Sequence, residues 1–140
     1  MGDYKYEVSK KNRWWLPRER TLELAHYCRQ YPDWKRQIKV IGFRISNVNS
    51  SLSSIPVLHE PTNKTEELAV ILSEYSQAVN RIDRLVVEAD EALARYILRG
   101  VTEGCPFTKL QMVYNIPCNK NTYYDRYRKF FWLLSQERGI

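Results

Sequence analysis

From Leu68 to Tyr96 the apolar positions alternate spacings of four and three: Leu68, Leu72, Tyr75, Val79, Ile82, Val86, Ala89, Leu93 and Tyr96. Apolar residues that recur every three to four positions line one side of an α-helix, and a sustained alternation is the heptad pattern of paired helices. The pattern predicts a long central helix over residues 64–99, roughly 54 Å long at about 1.5 Å per residue. Thr62 or Asn63 is expected to cap its start, with Glu66 three residues after Asn63 as in a capping box. Gly100 is expected to end it. A stripe of this length has to face another apolar surface. Two candidates stand: a helix of the same chain, or a second copy, which would give a homodimer through the central helix.

The flanks also read as helical. In "WWLPRERTLELAHYCRQYPDW", Pro17 suits the first turn of a helix, where its missing N–H costs nothing. Leu24, Tyr27 or Cys28, Tyr31 and Trp34 follow at helical spacing, and Pro32 predicts a helix end or kink at Tyr31. Trp14, Trp15 and Leu16 read as an aromatic plug against a neighbouring element. Residues 46–63, rich in Ser and Asn with two prolines, are expected to form a loop. After Gly104 and Pro106 a short helix is predicted over about 107–114, carrying Leu110 and Val113. Asn115 and Pro117 mark a tight turn. A final helix follows, capped by Asn119 or Asn121 and running to about Arg138. The fold expected is all-α and one compact domain: an N-terminal aromatic and basic segment (1–45), the loop (46–63), the long helix (64–100) and a C-terminal helix-turn-helix (101–140).

Composition supports this. Glycine is scarce, at 5 residues in 140, which disfavours many-stranded β folds. The net charge of +6 is unevenly spread. Residues 1–45 carry 11 Lys and Arg against 5 Asp and Glu, residues 46–105 carry 5 against 9, and residues 106–140 carry 6 against 2. An acidic central helix between two basic ends points to anionic partners at the ends.

The final helix has two unlike sides. At about 100° per residue, Tyr123, Tyr124, Tyr127, Phe130, Phe131 and Leu134 share a broad aromatic side suited to a core. Asn121, Thr122, Asp125, Arg126 and Lys129 lie opposite, with Arg128 flanking. In a helix-turn-helix the last helix enters the major groove with its N-terminal residues on base edges. Asn and Arg there suit bidentate contacts to adenine and guanine. Asn121, Thr122, Asp125 and Arg126 are therefore the candidate readers of double-stranded DNA, and Asn119, a candidate cap, is a further candidate DNA-binding residue. Lys109, Lys120, Arg128 and Lys129 are the candidate phosphate contacts.

The stretch "NIPCNKNTYYDRYRKFFWLL" resembles the C-terminal signature of the phage late-gene transcriptional activators of the RinA and ArpU type. "TEELAVILSEYSQAVNRIDRLVVEADEALARYI" resembles the long helix of the same group, and "WWLPRERTLELAHYCRQYPDWK" is similar to an N-terminal aromatic block in related phage and prophage proteins. The resemblance implies a sigma-factor-like helix-turn-helix and a role as a phage- or prophage-derived transcriptional regulator, with RNA polymerase as a further partner. One departure is that Pro117-Cys118 and residues 119–121 stand where a shorter Ile-Ser entry is usual. Two alternatives remain: an oligomeric DNA-packaging factor like a small terminase, and a module that contacts polymerase instead of bases.

Enzyme chemistry is not expected. His26 and His59 have no Cys or carboxylate at ligand spacing, which argues against zinc. Cys28, Cys105 and Cys118 form no CxxC pair, and no His follows Cys105 or Cys118 to act as a base. With no Gly-rich phosphate loop, no cofactor is expected. The charged start "MGDYKYEVSKKNR" has no apolar run behind it, and no apolar run is long enough to span a bilayer. A cytoplasmic protein without a membrane partner is expected.

Overall fold

A computed structural model describes residues 10–53 and 63–139, except for the side chains of residues 48–53 and 63. All regular structure among these residues is helical, in six helices: α1 (Arg18–Arg29), α2 (Tyr31–Ser53), α3 (Asn63–Ala89), α4 (Ala94–Glu103), α5 (Phe107–Met112) and α6 (Lys120–Arg138). The fold is all-α, as the periodicity predicts. None of these helices is long and apolar enough to cross a membrane. The chain divides into two units, residues 31–80 and residues 1–30 with 81–140.

The first unit consists of α2 and the first part of α3. As Pro32 predicts, the helix breaks before Tyr31: α1 stops at Arg29 and α2 begins one residue after Gln30. Tyr31, Trp34, Ile41 and Val79 are buried. The first part of the loop expected from residue 46 is helical instead, because α2 continues through Ser53. Ser and Asn cost only about 0.5 kcal/mol each relative to Ala in a helix, and extending a nucleated helix adds a hydrogen bond per residue. Residues 54–62, including His59 and the candidate cap Thr62, lie outside the described residues.

In the second unit α1, α4 and α6 pack on one another. Leu24 and Cys28 of α1, Ile97 and Val101 of α4, and Tyr123, Phe130, Phe131 and Leu134 of α6 are buried. The aromatic side of α6 is the core side, as its spacing predicts. Its rings stack edge-on along the helix, Tyr124 on Tyr127 at 5.6 Å and Tyr127 on Phe131 at 5.0 Å between centroids. Phe107 of α5 meets Tyr123 at 5.6 Å. Arg20 of α1 holds the far end of α6. Its Nε donates to Ser135 Oγ at 3.0 Å, and its guanidinium also donates to the carbonyl oxygens of Ser135 and Gly139. A cation on the last carbonyls of a helix satisfies orphan acceptors and the negative end of the dipole.

The expected helix over 64–99 is interrupted. After α3 ends at Ala89, Asp90 accepts from the Leu93 N–H through Oδ1 at 3.1 Å. This side-chain bond competes with the helical ladder and starts a new helix at Ala94. The apolar stripe still works across the break, because Val86, Ala89, Leu93 and Tyr96 are all buried.

Gly100 is not the stop that its position predicts. It is buried inside α4, and the stop is Gly104, in the left-handed region at φ 70°. A Cβ at Gly100 would overlap Tyr123 Oη and come within 3.4 Å of Tyr123 Cζ. Glycine at this point lets a tyrosine of α6 lie against the backbone of α4. Tyr123 Oη is buried without a hydrogen-bond partner among the described residues, and burial pushes its pKa up, so the phenol stays neutral.

This contact makes a test. Ala at a helix interior is favoured over Gly by about 1 kcal/mol, while overpacking a core costs about 1–3 kcal/mol. Gly100→Ala is expected to lower stability in urea unfolding. Tyr123→Phe, which deletes only the unpartnered hydroxyl, is expected to be near neutral and to turn Gly100→Ala from destabilising to neutral or better. A double variant as unstable as Gly100→Ala alone would refute the close approach.

Candidate nucleic-acid interface

The chain from α5 to α6 is built by local rules. Pro106 precedes α5, and its carbonyl accepts from the N–H groups of Lys109 and Leu110. The connection contains Asn115 at φ 53°, a left-handed conformation that Asn tolerates better than most residues. The Ile116 N–H donates to the Leu110 carbonyl at 3.1 Å, and the Ile116 side chain is buried, which fixes the turn to the core. Asn119 then caps α6, its Oδ1 accepting from the Thr122 N–H at 2.8 Å. Of the two caps expected, Asn119 is the one used.

The candidate residues fall into two groups. Lys109 on α5 and Lys120, Asn121 and Thr122 in the first turn of α6 are exposed. They form no ion pair among the described residues, and the first turn of α6 has no acidic residue. Asn119 is exposed as well, but its side-chain oxygen is engaged in the cap. The positive end of the α6 dipole and Lys120 together favour an anion here.

Further along α6 the expected reading face is partly covered. Asp125, Arg126, Arg128 and Lys129 are half-buried. Arg126 donates from Nε to Asp90 Oδ2 at 3.2 Å and from Nη1 to Asp125 Oδ2 at 3.0 Å. Asp125 also pairs with Arg13 at 3.9 Å. The segment before α1 lies over this side. Trp14 meets Trp132 edge-on at 5.4 Å, and the Lys129 ammonium sits 5.6 Å from the Trp14 ring. The predicted aromatic plug therefore exists at Trp14, and it rests on α6. Arg128 Nε is buried with no hydrogen-bond partner among the described residues.

Other arginines of this unit are also engaged within the chain. Arg138 stacks on Tyr27 at 3.8 Å and Arg99 on Tyr114 at 4.1 Å. Arg81 and Arg84 of α3 both pair with Glu137 of α6. Aromatic rings attract a guanidinium through their negative faces, so the tyrosine-rich composition and the excess of arginine are partly one feature.

Sequence reasoning missed Asp90 and Arg13. Asp90 carries a signal in hindsight, since an Asp inside an apolar heptad three residues before a free N–H is a helix-start pattern. Arg13 carries none, because its partner is more than a hundred residues away in sequence.

The three thiols are held protonated. Burial pushes the pKa of Cys28, Cys105 and Cys118 up, and Asp90 adds to the rise at Cys118. Among the described residues, no three His, Cys, Asp or Glu side chains cluster in a way that could hold a metal ion.

No protein-family model matches the chain, and no curated protein or solved structure matches it.

Asp90 and Arg126 are expected to act as a pair in unfolding measurements. Asp90→Ala removes a backbone acceptor and a charge partner and should cost about 1–2 kcal/mol. Arg126→Ala should cost less, since both side chains are partly exposed. A double-mutant cycle should give a coupling of about 0.5–1 kcal/mol, and strict additivity would contradict the pairing.

Proposed function

We propose that the chain is a DNA-binding transcriptional regulator that reads duplex DNA with the first turn of α6. The observation that carries this reading is the exposed run Lys120, Asn121 and Thr122, presented by a capped helix that follows a short helix and a turn. The N-terminal residues of a recognition helix are the ones that reach base edges in helix-turn-helix docking. Asn121 suits a bidentate contact to adenine, and Thr122 suits base edges or a thymine methyl. Lys109 and Lys120 flank them as phosphate contacts. Arg126 and Asp125 have a different role in this reading. Each would have to leave an intramolecular partner to touch DNA, so they brace the helix rather than read from it. Lys129, which sits on the Trp14 ring, and the half-buried Arg128 are likewise not contacts in this reading. The resemblance to the RinA- and ArpU-type activators agrees with this reading and is the basis for a phage or prophage origin.

A second reading has its own observation. Met112 and Val113, at the end of α5 beside the same turn, are 77% and 58% exposed. Two large apolar side chains in that position suit a protein partner such as RNA polymerase, with α6 acting as support.

The test is selection from a pool of random duplexes at two salt concentrations. A motif is expected to emerge, with affinity falling steeply as salt rises. Asn121→Ala should lose about 1–3 kcal/mol on the selected site and relax the motif at one position. Lys120→Ala should weaken all sequences alike and flatten the salt slope by about one unit. If no duplex is retained at low salt, the DNA reading is wrong and the polymerase-contact reading takes its place.

A further inference from the structure

The two helices of the 31–80 unit leave two unlike apolar surfaces. One is a groove lined from α2 by Lys39, Val40, Phe43 and Arg44 and from α3 by Lys64 and Leu68. Phe43 is 67% exposed and Val40 47%. The other is a shallow surface on α3 formed by Glu66, Glu67, Val70 and Ile71, where Val70 is 57% exposed and Ile71 40%. At about 100° per residue, Glu66 and Val70 point away from Lys64 and Leu68, while Glu67 and Ile71 lie at the border between the two surfaces. The groove is rimmed by three cations and no acid, and the ridge by two carboxylates and no cation.

We propose that the chain self-associates, the acidic apolar ridge of α3 on one copy seating in the basic-rimmed groove of another. Exposed large apolar side chains rimmed by charge mark protein contacts. Complementary charge decides which surfaces meet. Groove against groove would set Lys39, Arg44 and Lys64 against their own copies, and ridge against ridge would do the same for Glu66 and Glu67. Groove against ridge instead matches both the charge and the apolar centre. The contact does not use the buried part of the heptad stripe, where Val79, Ile82, Val86, Ala89, Leu93 and Tyr96 are already covered. A homodimer through that stretch of the central helix would have to expose them. The inference does not depend on DNA binding.

The test is mass by light scattering on the full chain, with charge reversals at exposed positions and circular dichroism to confirm that each variant is folded. The wild type is expected at two or more times the 16.7 kDa of one chain, with lower mass as salt rises. Arg44→Glu with Lys64→Glu, or Glu66→Lys with Glu67→Lys, should each return the protein to one chain's mass. All four reversals together should restore the assembly, a recovery that a merely structural role for these residues would not produce. A wild type that stays monomeric, with the groove left to the chain's own residues or to a foreign partner, would overturn the proposal. So would an assembly indifferent to both reversals.

Discussion

The carboxylate of Asp90 sets the geometry of residues 81–140. One oxygen accepts a backbone N–H and stops α3, and the other holds Arg126 in the middle of α6. A residue without a side-chain acceptor at this position would leave the Leu93 N–H to the helical ladder. With Asp there, the stripe is cut at Ala89 and resumed at Ala94. The resumed part packs with α1 and α6. The same contact decides how much of α6 can face outward, because it draws the arginine best suited to a base edge back onto the protein.

Close packing then fixes the details. Gly100 allows the Tyr123 ring to approach the α4 backbone, so the aromatic side of α6 is seated deeply. Phe130 and Leu134 continue that seat, and Arg20 finishes it by satisfying the carbonyls at the end of the helix. On the opposite side, Trp14 with Arg13 and Lys129 lies over the helix from Asp125 to Trp132. With the middle of the helix held on two sides, its exposed parts are the first turn and residues 136–138, and the first turn is capped by Asn119, which fixes the orientation of Lys120, Asn121 and Thr122.

The parts of this arrangement that follow from periodicity were legible in the sequence. The core side of α6 could be read from the spacing of Tyr123, Tyr124, Phe130, Phe131 and Leu134. The break at Tyr31 follows from Pro32, and the turn before α6 from Asn115 and Pro117. Local propensity misled where its cost is small, as in the Ser- and Asn-rich end of α2. Gly100 misled because a glycine that ends a helix and a glycine that admits a neighbour look alike without the neighbour. The reading face was only half legible. Helical geometry places Arg126 and Lys129 on the polar side, but whether that side is open depends on a tryptophan more than a hundred residues earlier.

The central claim is that, of the α5 and α6 residues expected to meet DNA, only Lys109 and the first turn of α6 are available to it, while Asp125, Arg126, Arg128 and Lys129 belong to the protein. The most direct measurement is a heteronuclear NMR titration of the isotope-labelled chain with a random-sequence duplex at low salt. The account predicts perturbed amide signals at Lys109 and over residues 119–122, with the side-chain signals of Arg126 and Trp14 unchanged. Perturbation centred on Arg126 and Lys129, with Trp14 displaced from Trp132, would contradict it.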